Sequence, residues 1–141
     1  MKRFGIVCAA LMLVLSAVGC GETEEKIEDI DKNSSERAGT VSHKEKYEFD
    51  LDGDRNVYRL EDKIEEIEIV GDDNYITIVS DAMIDSLVIT GSRNVVDAED
   101  NHSVTIVDVE INGSNNVVRI YDAANITLDG SDNQVLESAA Q

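Results

Sequence analysis

The chain has 141 residues, with 30 acidic against 12 basic side chains and a formal net charge of −18 at pH 7. That charge repels nucleic acid and anionic membrane surfaces, so neither is an expected partner. Aromatic residues are 4% of the chain, too sparse for an extended sugar-stacking platform, and two cysteines at Cys8 and Cys20 leave little scope for a disulfide framework.

Lys2 and Arg3 precede an apolar run over residues 4–18, which is short for a bilayer span and ends in the small residues of "SAVGC". This pattern predicts an export signal over residues 1–19. Small residues directly before a cysteine resemble the lipobox of bacterial lipoproteins, and the resemblance implies that Cys20 is lipidated and becomes the mature N-terminus. An ordinary cleaved signal is the alternative. Cys8 would leave with the signal, and the mature chain would then hold no internal disulfide. Each buried methylene of an acyl chain adds about 0.8 kcal/mol to membrane attachment, so a multiply acylated Cys20 is a firm anchor. The expected location is the cell envelope, on the exported face of the outer or cytoplasmic membrane.

Residues 20–46 are charged and aperiodic, with Ile27, Ile30 and Val41 as the sizeable apolar side chains of the stretch after Cys20. Too little apolar surface is present to offset ordering entropy, so this segment reads as a flexible acidic tether.

Residues 47–141 carry a repeat. "GDRNVYRL" at Gly53, "GDDNYITI" at Gly71, "GSRNVVDA" at Gly91, "GSNNVVRI" at Gly113 and "GSDNQVLE" at Gly130 share a glycine followed three residues later by Asn56, Asn74, Asn94, Asn116 or Asn133. Four and two residues before each glycine stand Phe49 and Leu51, Ile67 and Ile69, Leu87 and Ile89, Val109 and Ile111, then Ile126 and Leu128. A period of two predicts a strand with one buried face, and the apolar alternation after each asparagine predicts a second. In register with apolar neighbours, the asparagines should point inward. Glycine supplies the positive φ of the turn between the strands.

Successive glycines are 18, 20, 22 and 17 residues apart, too far for hairpins and close to one coil of a solenoid. The expected fold is all-β, a short parallel β-solenoid of about five coils at about 4.8 Å per coil, with inward asparagines forming a ladder. Uneven spacing calls for corners that absorb insertions, such as "EDNHSVTIVD" in the third coil. An antiparallel sandwich is the competing fold, since period-two strands with Gly and Asn turns also suit it. At the two ends, "TVSHKEKYEF" is long enough to fold over the first coil, whereas residues 134–141 offer little bulk to cover the fifth. Weak self-association through the C-terminal coil follows as an expectation.

The recurring glycine, Ser or Asp, Asn and alternating aliphatics behind a lipoprotein-type signal resemble the bacterial DUF3060 family of small exported repeat proteins. The resemblance covers residues 47–141 and implies repeats and export; that family has no assigned biochemical role, so no catalytic residue is carried over.

Within "DLDGDRNVYRLE", Asp50, Asp52, Asp54, Asn56 and Glu61 fall at positions 1, 3, 5, 7 and 12 of an EF-hand-like loop. Arg55 occupies the position that needs glycine, and the flanking segments read as strands instead of helices. Asp50, Asp52, Asp54, Asp72 and Asp73 therefore remain weak candidates for a cation, against the simpler reading of a solvated acidic edge. His43 and His102 lack companion histidines for a zinc site, and no serine or cysteine nucleophile has an evident base. The expected function is a non-enzymatic binding or structural module of unknown ligand, without a cofactor. A carbohydrate-active enzyme or a calcium-binding surface protein is the alternative.

Overall fold

A computed structural model of the chain describes residues 35–98 and 103–138. Among them are eleven strands and no helix: β1 Ala38–Val41, β2 Tyr47–Asp52, β3 Val57–Glu61, β4 Ile64–Val70, β5 Tyr75–Val79, β6 Met83–Ser92, β7 Val95–Ala98, β8 Thr105–Ser114, β9 Val117–Ile120, β10 Asp122–Ser131 and β11 Gln134–Glu137. The even-numbered strands form one sheet in the order β10-β8-β6-β4-β2, and the odd-numbered strands form a second in the order β1-β3-β5-β7-β9-β11. Every pairing is parallel. The chain is thus a flattened β-solenoid of about five turns, and the antiparallel sandwich is excluded.

Each coil is a strand of the even sheet, a Gly-x-x-Asn turn, a strand of the odd sheet and a second corner. The first corner is constant in length because its geometry is fixed by two residues of unusual φ. The second takes up the variation: two residues separate β3 from β4, three separate β5 from β6, residues 99–104 separate β7 from β8, and Tyr121 alone separates β9 from β10. This is where the unequal repeat lengths are absorbed.

Period-two alternation puts one residue in two between the sheets, and parallel in-register stacking turns those residues into columns. Phe49 lies beside Ile67, Leu87 and Val109, and Leu51 beside Ile69, Ile89 and Ile111; across the gap stand Tyr58, Ile76, Val96 and Val118. All twelve are buried. Burial of each such side chain contributes about 1.5–3 kcal/mol, and the columns carry the domain without a disulfide. Phe49 and Tyr58 meet edge to face, with ring centroids 5.6 Å apart. The buried Tyr47 donates its hydroxyl to the Glu61 carbonyl at 2.8 Å; burial first, and then the nearby Asp62 carboxylate, push its phenol far above the ordinary tyrosine range.

Two expectations change. Strand β1 lies inside the stretch read as tether, pairing Ala38 with Val57 through Val41 with Leu60, so the solenoid starts before Tyr47. "TVSHKEKYEF" is accordingly not a lid: its first two residues end β1 and its last three begin β2. The second is at the far end, where the thin cover expected from residues 134–141 leaves the predicted buried face of the fifth coil open. Ile126 and Leu128 occupy the inward register of β10, yet they are 42% and 47% exposed, because no coil among the described residues is stacked on them. Strand periodicity states which way a side chain points; the stack decides whether anything covers it.

Candidate functional site: the turn edge and the two outer faces

The five turns stack into one edge. Their glycines have φ of 143°, 134°, 137°, 144° and 105° in chain order, a region that side chains rarely enter. Two residues after each glycine comes a left-handed residue, Arg55, Asp73, Arg93, Asn115 or Asp132, at φ between 56° and 60°. Sequence reasoning missed this second position. Its signal is that the five are all polar and never β-branched, with Asp and Asn, which tolerate this conformation, at three of them. Their amides continue the ladder: Arg55 N–H donates to the Asp72 carbonyl, Asp73 to Ser92, Arg93 to Ser114 and Asn115 to Ser131, at 2.9–3.0 Å. Glu36, at φ 65°, donates likewise to the Asp54 carbonyl, so the turn pattern extends one coil upstream of Gly53.

The asparagines form the expected ladder. Asn56, Asn74, Asn94 and Asn116 are buried and Asn133 is half-buried. Asn56 Nδ2 donates to Asn74 Oδ1, Asn74 to Asn94, Asn94 to Asn116 and Asn116 to Asn133, at 3.0–3.1 Å. The same Oδ1 atoms accept the backbone N–H of the preceding rung's asparagine at 2.9–3.1 Å. From Asn74 onward each Nδ2 also donates to the glycine carbonyl of the previous turn at 2.8–2.9 Å. Asn74, Asn94 and Asn116 thus place both amide hydrogens and use both acceptor lobes, which is what burial of a carboxamide demands. In the first coil Arg37 stands in this register and its backbone N–H donates to Asn56 Oδ1 at 3.0 Å.

The aspartates singled out as cation candidates fall in two places. Asp50 and Asp52 lie on the outer face of β2, whereas Asp54, Asp72 and Asp73 lie along the turn edge. Asp54 Oδ1 accepts the Asp72 N–H at 2.8 Å and Asp72 Oδ1 accepts the Ser92 N–H at 2.7 Å, so both tie one turn to the next. Asp73 is paired with Arg93 at 2.6 and 2.8 Å, and that guanidinium holds its carboxyl below the usual aspartate range. Among the described residues no group of three or more His, Cys, Asp or Glu is arranged to hold a metal ion. His43 stacks edge-on to Tyr47 at 6.4 Å and its Nδ1 accepts the Glu45 N–H. His102 and Cys20 lie outside the described residues.

The outer faces differ in chemistry. On the even sheet, register aligns Glu48 with Glu66, Ser86 and Asp108, and Asp50 with Glu68, Val88 and Glu110. On the odd sheet, Val57, Tyr75, Val95 and Val117 form one column, beside Arg59, Thr77, Asp97 and Arg119. The charges here are paired, Arg59 with Glu61 at 3.1 Å and Arg119 with Asp97 at 3.5 Å. Tyr75 donates its hydroxyl to Asp97 at 3.2 Å, and partial burial followed by the Asp97 charge raises its phenol above the ordinary range. One face is therefore an acidic array and the other is close to neutral with an apolar ridge.

Like charges directly opposite on neighbouring strands are destabilising by a few tenths of a kcal/mol or more each, and salt screens them. The melting temperature should therefore rise as salt is increased from about 0.05 to about 0.5 M, and Glu66→Gln should reproduce part of that gain at low salt. A melting temperature indifferent to salt in thermal denaturation followed by circular dichroism would contradict this account of the face.

No helix among the described residues is long and apolar enough to cross a membrane. Compared with known proteins, the chain matches no family model, no curated protein and no solved structure.

Proposed function

We propose that this chain is a lipid-anchored protein of the cell envelope, exported by residues 1–19, held at Cys20, and displaying its solenoid as a non-enzymatic binding or structural module. The observation that carries the second half is how the polar clusters are used. The asparagines and the turn aspartates Asp54 and Asp72 are spent on bonds between coils. What faces outward is two parallel sheets with side chains in regular columns, suited to contact over an extended area. The first half rests on Lys2, Arg3, the apolar run and "SAVGC".

The anchor is tested directly. Cells expressing the chain and fed an alkyne-tagged fatty acid should label the wild type and leave Cys20→Ser unlabelled, with the variant moving from the membrane to the soluble fraction. A wild type that carries no acyl chain would end the lipoprotein reading.

A further inference from the structure

Charge is divided unevenly between the two outer faces. None of the five even strands contains a lysine or arginine, and their outward side chains include Glu48, Asp50, Glu66, Glu68, Asp108 and Glu110. The outward side of the odd sheet carries both signs, Arg59 and Arg119 against Glu61 and Asp97, beside the apolar column Val57, Tyr75, Val95 and Val117. Val57 and Tyr75 are 49% and 40% exposed. Every strand of this column has a described neighbour on both sides, from β1 beside Val57 to β11 beside Val117, so the ridge opens sideways to solvent and owes nothing to the ends of the stack.

We propose that this ridged face of the odd sheet is the docking surface for the same face of a second copy of the chain, packed sheet on sheet about a two-fold axis that runs along β5. Charge selects the occupant. In a chain of net charge −18, an even face laid on another even face sets carboxylate on carboxylate, and laid on an odd face it covers the ridge with acid. Two odd faces instead cover apolar column with apolar column and bring both signs of charge from each side. The copies share one rung spacing, so aligned sheets can match column to column over several coils.

The register places the axis. Turning the face over about β5 lays β3 on β7 of the second copy, so that Val57 meets Val95, Tyr75 meets Tyr75, and Arg59 faces Asp97 twice. An axis through β7 would set Asp97 on Asp97, and one midway between β5 and β7 would set Arg59 on Arg119. An axis between β7 and β9 pairs Asp97 with Arg119 but leaves Val57 uncovered. About β5 five strands overlap, roughly 400 Å² of face per copy against roughly 800 Å² in a standard interface, so the dimer is weak and reversible. This inference rests on the reading of the solenoid as a binding module and not on the anchor, so labelling at Cys20 can fail while the dimer stands, and the reverse.

Sedimentation equilibrium of the full chain in a nonionic detergent tests this. Arg59→Asp and Asp97→Arg, each alone, should raise the dimer dissociation constant by about tenfold or more, because each sets like charges opposite one another at both positions. Mixed in equal amounts, the two variants should form a heterodimer of near wild-type strength, since each copy then supplies the sign that the other lacks; a variant that had merely misfolded would not be restored by mixing. Tyr75→Lys puts two ammonium groups on the axis and should abolish the dimer with the circular dichroism spectrum unchanged. Leu128→Lys, on the inward side of β10, should change nothing. A wild type still monomeric at about 1 mM chain overturns the proposal. So does a mixture of the two charge variants that stays monomeric, a dimer that survives Tyr75→Lys, a dimer abolished by Leu128→Lys, or a species that keeps growing beyond the two copies at which a two-fold contact closes.

Discussion

Gly113→Ala should come close to unfolding the domain. An alanine Cβ at this position would lie 1.8 Å from the Gly91 carbonyl oxygen and 2.7 Å from its carbon, both backbone atoms of the adjacent coil, with φ at 144°. The φ alone costs about 1–3 kcal/mol for a residue with a side chain. Relieving the overlap means prising two coils apart across a ladder on both sheets, and the sum reaches about 4 kcal/mol or more, a large part of the stability of an ordinary domain. At about 4–8 °C per kcal/mol the melting temperature should drop by about 20 °C or more. Gly71, Gly91 and Gly130 face the same overlap, at 1.9–2.1 Å from the glycine oxygen of the preceding turn. Gly39→Ala is the control. Its Cβ would meet only the Tyr58 ring, at 3.2 Å, with no unusual φ, and the change should cost about 1 kcal/mol or less. Equal losses at Gly39 and Gly113 in chemical denaturation would show that coil-to-coil approach at the turn is not what demands glycine.

The second large effect is at the amide ladder. Asn94→Ala removes four bonds at once: Oδ1 accepts the Asn74 backbone N–H and Nδ2, while Nδ2 donates to the Gly71 carbonyl and to Asn116 Oδ1. What matters is less the bonds lost than the partners left buried without water. An orphaned buried donor costs about 1–3 kcal/mol, and the Asn74 N–H and amide are both affected, so a loss of about 3 kcal/mol is expected. Asn133→Ala should cost about 1 kcal/mol or less, because the last rung is partly open and water can replace the missing partner. Asn94→Asp is the sharper test of mechanism. It preserves shape and acceptors but turns an acceptor toward the Gly71 carbonyl and Asn116 Oδ1 and buries a charge, so at neutral pH it should destabilise at least as much as Asn94→Ala. A ladder whose Asn94, Asn133 and Asp variants all lost the same small amount would be a ladder of exposed amides.

The coil was legible because its causes are local. Apolar residues two apart state that a strand has an inner face, a glycine at a constant offset from an asparagine marks a turn of fixed shape, and glycine spacings of 17–22 residues leave room for one coil and no more. The inward asparagines follow from the same alternation. Strand β1 was not legible, because a four-residue segment with Val41 as its one sizeable apolar side chain is recruited through its backbone by the free edge of β3, a partner about nineteen residues away that leaves no periodic trace.

For the rest, local chemistry supplied residues and the stack assigned their roles. Asp54, Asp72 and Asp73 have the composition of a cation site, but two of them accept amides of the next turn and the third is paired with Arg93, contacts that exist only once coils lie in register. Ile111 and Leu128 carry the same sequence signature, two residues before a glycine, and end in opposite environments, one buried and one 47% exposed. Alternation, turn geometry and the amide positions depend on each residue's own φ and its neighbours in the chain, so the amino-acid sequence by itself determined them. Burial depends on whether another coil is stacked above, so only the tertiary structure decided which apolar columns are closed and which one stays open at the C-terminal coil.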